Sequence, residues 1–172
     1  MGTFPGGNII RVTPTLSTDA YAQGDVLFNP TKIPNAVSSR GGVSKLIAMT
    51  LIDQSDVGTS DITFIFSENN SSDLGTINAT ANISDANVEA LKITGTARCD
   101  ADQAGTDSWL DNTRVHQILP AAGTGEGTNP TQLIKAAEGS TDVYVSGILI
   151  SNTTPTYAAD DIDLIFHIEY LG

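Results

Sequence analysis

The residues able to do chemistry are few: one cysteine, Cys99, two histidines, His116 and His167, and two runs of aspartate. His167 falls on the same face of the last alternating segment as Asp163 and Glu169, which is half of an acid/base arrangement. The same placement describes a solvent-facing strand position with charged cross-strand partners. That reading is preferred, because catalytic groups sit mostly on loops. A Cys99–His dyad is available by residue type, but Cys99 shares inward parity with Leu91 and Ile93, and a buried thiol is inert packing. The chain contains no G-x-S-x-G elbow, H-E-x-x-H pair or P-loop, so no catalytic residue and no cofactor is assigned.

The first aspartate run, Asp100-Ala101-Asp102-Gln103-Ala104-Gly105-Thr106-Asp107-Ser108-Trp109-Leu110-Asp111, overlays a calcium loop. Asp100, Asp102, Ser108 and Asp111 would be its oxygen donors around Gly105. It departs from that pattern at Ala104, which has no side-chain oxygen, at Asp107, where an apolar residue is usual, and at Asp111, shorter than a bidentate glutamate. No amphipathic helix flanks it, so a solvated acidic loop is the expectation and these four residues are metal candidates only. The second run, Asp160-Asp161-x-Asp163, offers the paired carboxylates of glycoside hydrolysis, but its spacing fits a loop-to-strand junction better.

The elements that must hold these residues show a period of two. In Asp161 to Tyr170, residues Ile162, Leu164, Phe166, Ile168 and Tyr170 share one face, the pattern of a half-buried strand. Asp61–Ser67, Leu91–Cys99 and Val143–Ile150 alternate likewise. Val43–Asp53 is apolar on both faces, as a strand is when it is central between covered faces or buried against another subunit. Its residues Ile47, Met49 and Leu51 are expected on one face. Weaker strands are expected at Asn8–Ser17, Gly24–Asn29, Thr113–Leu119 and Thr131–Ala137. Pro14 lacks an N–H for the ladder and marks the first as an edge strand or a bulged one. The helical signal is limited to Ser84–Leu91, with Ser84 or Asp85 as its cap. Eight to ten strands separated by Gly/Asn/Ser/Pro turns predict an all-β antiparallel sandwich, with a jelly roll preferred over an immunoglobulin-like arrangement. The chain divides into an N-terminal arm, residues 1–8, and one domain, residues 9–172.

Composition removes several function classes. Eight basic against twenty acidic residues give a formal net charge of −12 among 172 residues, with no Lys/Arg cluster to neutralise phosphates or an anionic membrane. A single cysteine forms no internal disulfide. The most apolar stretch, Leu46–Ile52, is seven residues and contains Thr50, against roughly 20 for a spanning helix. Residues Met1–Asn8 lack the basic and apolar regions of a secretory signal. Five Asn-x-Ser/Thr triplets, beginning at Asn69, Asn70, Asn78, Asn82 and Asn152, read as loop composition rather than glycan sites. A sugar-binding platform needs exposed aromatic faces, and the loop-placed candidates are Phe4, Tyr21, Trp109 and Tyr157.

Thr13–Leu27 reads TPTLSTDAYAQGDVL, and Val143–Gly172 reads VYVSGILISNTTPTYAADDIDLIFHIEYLG. The Thr-x-Ala-Tyr-x-x-Gly-Asp-Val stretch in the first block resembles the opening of a family of small virion proteins of tailed bacteriophages. The strand, Thr-Pro-Thr-Tyr loop and terminal amphipathic strand of the second resemble that family's ending. The resemblance implies a jelly-roll-like sandwich on the phage particle. There it would be a head decoration (cement) protein, assembled as a homo-oligomer with a trimer favoured, bound to the major capsid protein lattice and facing outward. A head-fibre, tail or head–tail role is the alternative within the same resemblance, and a carbohydrate-binding module the alternative outside it. On this reading the informative residues are interface residues: Phe4 and Ile9 for an arm contact, and Ile47, Met49 and Leu51 for the doubly apolar strand.

Overall fold

The computed structural model describes residues 6–55, 60–101, 107–118 and 132–171. Ten strands and one short helix follow in order: β1 (Gly7–Val12), β2 (Val26–Ile33), β3 (Val43–Asp53), β4 (Ile62–Ser67), α1 (Asp85–Leu91), β5 (Ile93–Cys99), β6 (Asp107–Leu110), β7 (Thr113–Ile118), β8 (Gln132–Lys135), β9 (Val143–Leu149) and β10 (Ile162–Tyr170). The first sheet runs β1-β10-β3-β7-β6, with β8 also paired to β3, and the second runs β2-β9-β4-β5. Every pairing between the strands is antiparallel. The first strand lies beside the last, the second beside the last but one, β3 beside β7 and β8, and β4 beside β5. That is one long hairpin folded over into two layers, the winding of a jelly roll. The all-β sandwich expected from the alternation is present.

The core lies between the layers. Phe28 and Phe64 from the second sheet, tilted at 6.3 Å, meet a second aromatic pair, Phe66 against Phe166 at 6.0 Å edge to face across the sheets. Ile33, Leu51, Ile62, Leu149, Ile162 and Leu164 complete it with no exposed surface. Burial of such side chains removes apolar area from water at about 25 cal/mol per Å², the main force closing the two layers. Gly147 sits in the middle of β9 opposite Phe28 on one side and Phe64 on the other. A Cβ there would lie 2.5 Å from the Phe28 ring, so the ring fills the space a side chain would need.

Several boundaries differ from the expectation. The arm is shorter than residues 1–8, because Gly7 and Asn8 already pair with Glu169 and Ile168. The strand expected over Asn8–Ser17 ends at Val12, two residues before Pro14, and β1 is an edge strand as its sequence suggests. The β5 strand begins at Ile93, not Leu91. Leu91 closes α1, whose cap is Ser84, its hydroxyl accepting from the Asn87 N–H at 3.4 Å. Lys92 then turns the chain with φ at 52°.

The largest departure is in β3. Its inward residues are Ser44 and Leu46, then Met49, Leu51 and Asp53, so the parity changes once. On β10, His167 pairs with Ala48 and the next residue, Ile168, pairs with Leu46. Ile47 is the extra residue of a β-bulge, and a bulge shifts every later side chain to the other face. Ile47 therefore points outward at 43% exposure, whereas Met49 and Leu51 lie under the second sheet at 2% and 0%. The three do not share a face.

The two sheets are finished differently on their outer sides. Residues between β4 and β5 fold back over the second sheet. Leu74 and Leu91 pack there with Val26, and Ala81 and Ile83 join Ile65 and Ile148 around them. Backbone bonds from the Asn78 N–H to the Val26 carbonyl and from the Val26 N–H to the Ala79 carbonyl, both 2.9 Å, hold this cover along the β2 edge. No described segment covers the outer side of the first sheet.

Candidate functional site

The architecture divides the residues capable of chemistry: Cys99 and His116 are buried, and His167 lies on the outer side of the first sheet. Cys99 ends β5 at 2% exposure. Its thiol is pushed up to about 12, first by burial and then by the Asp61, Asp100 and Asp53 carboxylates, against the opposing Arg114 cation. A thiol so placed stays protonated at neutral pH and is a poor nucleophile. His116 faces inward from β7 and is buried, whereas His167 faces outward from β10. The carboxylates on the His167 face are engaged elsewhere. Asp163 accepts from Arg11 Nη2 at 2.6 Å and from the Thr13 hydroxyl, and Glu169 pairs with Lys45 at 3.5 Å. Asp161 accepts from the Ala158 N–H at 2.5 Å, capping the turn into β10.

Three of the four residues of the calcium overlay are described. Asp100 follows directly on β5, Ser108 lies in β6, and Asp111 stands at φ 59° in the turn joining β6 to β7. Asp102 lies outside the described residues. Among the described residues no group of three His, Cys, Asp or Glu side chains is placed to hold a metal.

A buried polar group at one end of the sandwich was not anticipated. Asp53 has no exposed surface, and its Oδ1 accepts from the Ser55 N–H at 2.9 Å and the Ser55 hydroxyl at 2.6 Å. Tyr157 is 2% exposed and packs edge to face on Tyr21 at 5.9 Å. Burial and the Asp53 charge push its phenol far up, so it stays neutral. The signal for Asp53 was available in its shared parity with Met49 and Leu51. With Tyr21 and Tyr157 in the core, two of the four candidate stacking faces for a sugar are removed. Phe4 lies outside the described residues. An open hollow of about 670 Å³ beside Asn29, Asp73, Thr76 and Asn82 has no ring in its lining.

What remains is the outer face of the first sheet. Ile9 on β1 is 66% exposed, Leu110 on β6 62% and Leu133 on β8 57%. The register places these with the outward Ile47, and with half-buried Ile165, Ile52 and Val115 between them. The charges on this face are matched: Arg11 with Asp163 at 2.6 Å, Lys45 with Glu169 at 3.5 Å, and at the rim Lys135 with Glu68 at 2.8 Å. Among the described residues, Ile9, Ile47, Leu110 and Leu133 stand open to solvent on this face. The interface residues expected from the sequence are thus sorted: Ile9 and Ile47 are on the face, and Met49 and Leu51 are core.

The segments Thr13–Leu27 and Val143–Leu171 also meet in space. The Tyr21 N–H donates to the Pro155 carbonyl at 2.9 Å, the Leu16 N–H to the Ala159 carbonyl at 3.2 Å, and the Gly24 N–H to the Leu149 carbonyl at 2.8 Å. Gly24, at φ 89°, makes the turn that brings Asp25 back to accept from the Ala22 N–H at 2.7 Å. Comparison of the chain with protein-family models, with curated proteins and with solved structures finds no match in any of the three.

Proposed function

We propose that the chain is a structural protein of a tailed-bacteriophage particle, a decoration protein that binds the major capsid protein lattice on the outside of the head as a homo-oligomer. The observation that carries this reading is the uncovered apolar face of the first sheet, with Ile9, Ile47, Leu110 and Leu133 exposed on it. Residues between β4 and β5 cover the second sheet, and among the described residues no segment covers the first. Three further features support it. The jelly roll is a fold used for viral shells, although fold by itself does not fix function. The two sequence blocks that resemble the virion family form one packed unit, so the resemblance falls on a structural feature and not on scattered residues. The charge of −12 suits a surface turned to solvent rather than to packaged DNA.

The test is direct. Particles of the phage encoding this chain are purified and their proteins quantified by mass spectrometry, and recombinant chain is sedimented with heads that lack it. The expected result is a chain present in many copies per head that co-sediments with bare heads. Its absence from purified particles would remove the reading.

A further inference from the structure

We infer that the occupant of the bare face is a second copy of this chain, the two first sheets stacking face to face. The inference rests on the proposal that this face is an interface, and it adds the identity of the partner.

Charge selects that partner. The chain carries −12, yet Arg11 and Lys45 balance Asp163 and Glu169 on the face, and Lys135 at the rim is matched by Glu68. An interface built for a cationic partner would gather unmatched carboxylates around its apolar centre, as complementary surfaces do. Twenty acidic residues are available, and the described carboxylates on the strands of this face, Asp163 and Glu169, are both paired. Two copies meeting elsewhere would bring net negative surfaces within a Debye length of about 8–10 Å. Meeting here, they bring together apolar side chains and neutral ion pairs.

Shape agrees with charge. Stacked sheets pack about 10 Å apart with interdigitating side chains, and Ile9, Ile47, Leu110 and Leu133 stand outward at 66%, 43%, 62% and 57% exposure. Each copy supplies the same patch, which is the condition for a closed, isologous contact. The bulge at Ile47 contributes directly, because without it that side chain would point into the core.

The test is light scattering coupled to size exclusion on the full chain at micromolar to hundred-micromolar concentration. Wild type is expected to run as an oligomer whose mass is unchanged in 0.5 M salt. Ile47→Asp and Leu133→Asp are each expected to raise the dissociation constant at least about thirtyfold with the thermal midpoint of the subunit retained. Val88→Asp and Ile93→Asp, which alter exposed apolar positions off this face, should leave the mass unchanged. If Ile47→Asp does not fold, Ile9→Asp on the edge strand carries the same test. A monomeric wild type would overturn the inference, as would face variants that keep the oligomer. A face occupied by the chain's own residues would appear as a monomer destabilised by Ile47→Asp, and that too would overturn it. A monomer that still coats phage heads would refute the second copy and leave the virion role standing. An oligomer dissociated by Ile47→Asp but absent from particles would do the reverse.

Discussion

Replacement of Asp163 by Asn probes how the edge of the contact face is held. The β1 strand pairs with β10 alone along one edge, so its attachment depends on that ladder and on the anchor at Asp163. The Asp163 side chain is 10% accessible and holds Arg11 Nη2 at 2.6 Å, with the Thr13 hydroxyl on its other oxygen. A hydrogen bond to a charged group contributes about 1.5–3 kcal/mol. The Arg11 side chain is 58% exposed, and solvent screening reduces that pair to about 1 kcal/mol or less. The Thr13 bond adds about 1 kcal/mol. Asn keeps the shape but turns an N–H₂ group toward one of the two donors, so the expected loss is about 2 kcal/mol, confined to β1. Because every 1.4 kcal/mol is tenfold, β1 amides should exchange hydrogen about thirty times faster in native-state exchange. Protection in β4 and β9, at the centre of the second sheet, should stay near its wild-type level. The reasoning is refuted if β1 protection is unchanged, or if β1, β4 and β9 lose protection together.

Other consequences are sharper in sign than in size. Gly147→Ala places a Cβ 2.5 Å from the Phe28 ring. Overpacking of this kind costs about 1–3 kcal/mol, read by chemical denaturation, and pairing it with Phe28→Leu should recover part of the loss as a coupling term. Met49→Glu puts a carboxylate at a site 2% exposed and should abolish folding, whereas Ile47→Glu, two residues away, should give a folded, soluble protein; comparable circular dichroism and solubility for the two would contradict the bulge. For Cys99 the folded thiol sits at about 12 against an ordinary value of 9.0. The raised value means that its contribution is whole below about pH 9 and is lost as pH rises toward 12, by up to about 4 kcal/mol, since the unfolded thiol ionises first. Denaturation midpoints for wild type and Cys99→Ala should therefore converge in that alkaline window, and at pH 8 the native thiol should be alkylated only at the rate of unfolding.

The parts legible in the sequence were those set by local chemistry. A period of two cannot be accommodated by a helix, so Ile162, Leu164, Phe166 and Ile168 had to form one face of a strand, and Ser84 had to cap what little helix there is. Pro14, without an N–H, marked the first strand as one for a sheet edge. Net charge, the single thiol and the missing catalytic spacings were likewise properties of the chain as written. Whether β1 lies beside β10, and β2 beside β9, depends on contacts 110 to 162 residues apart in the chain (Ile33 with Val143, Gly7 with Glu169), which no local pattern encodes. The Asp100–Asp111 stretch concealed β6 because aspartate and serine favour turns by themselves, and only pairing with β7 makes residues 107–110 extended. Ile47 is the clearest case. Strict alternation assigns it to the core with Met49, and the register imposed by β10 turns it outward. Tertiary structure also decided that residues between β4 and β5 wrap the second sheet, because a covering segment declares itself only by what it lands on.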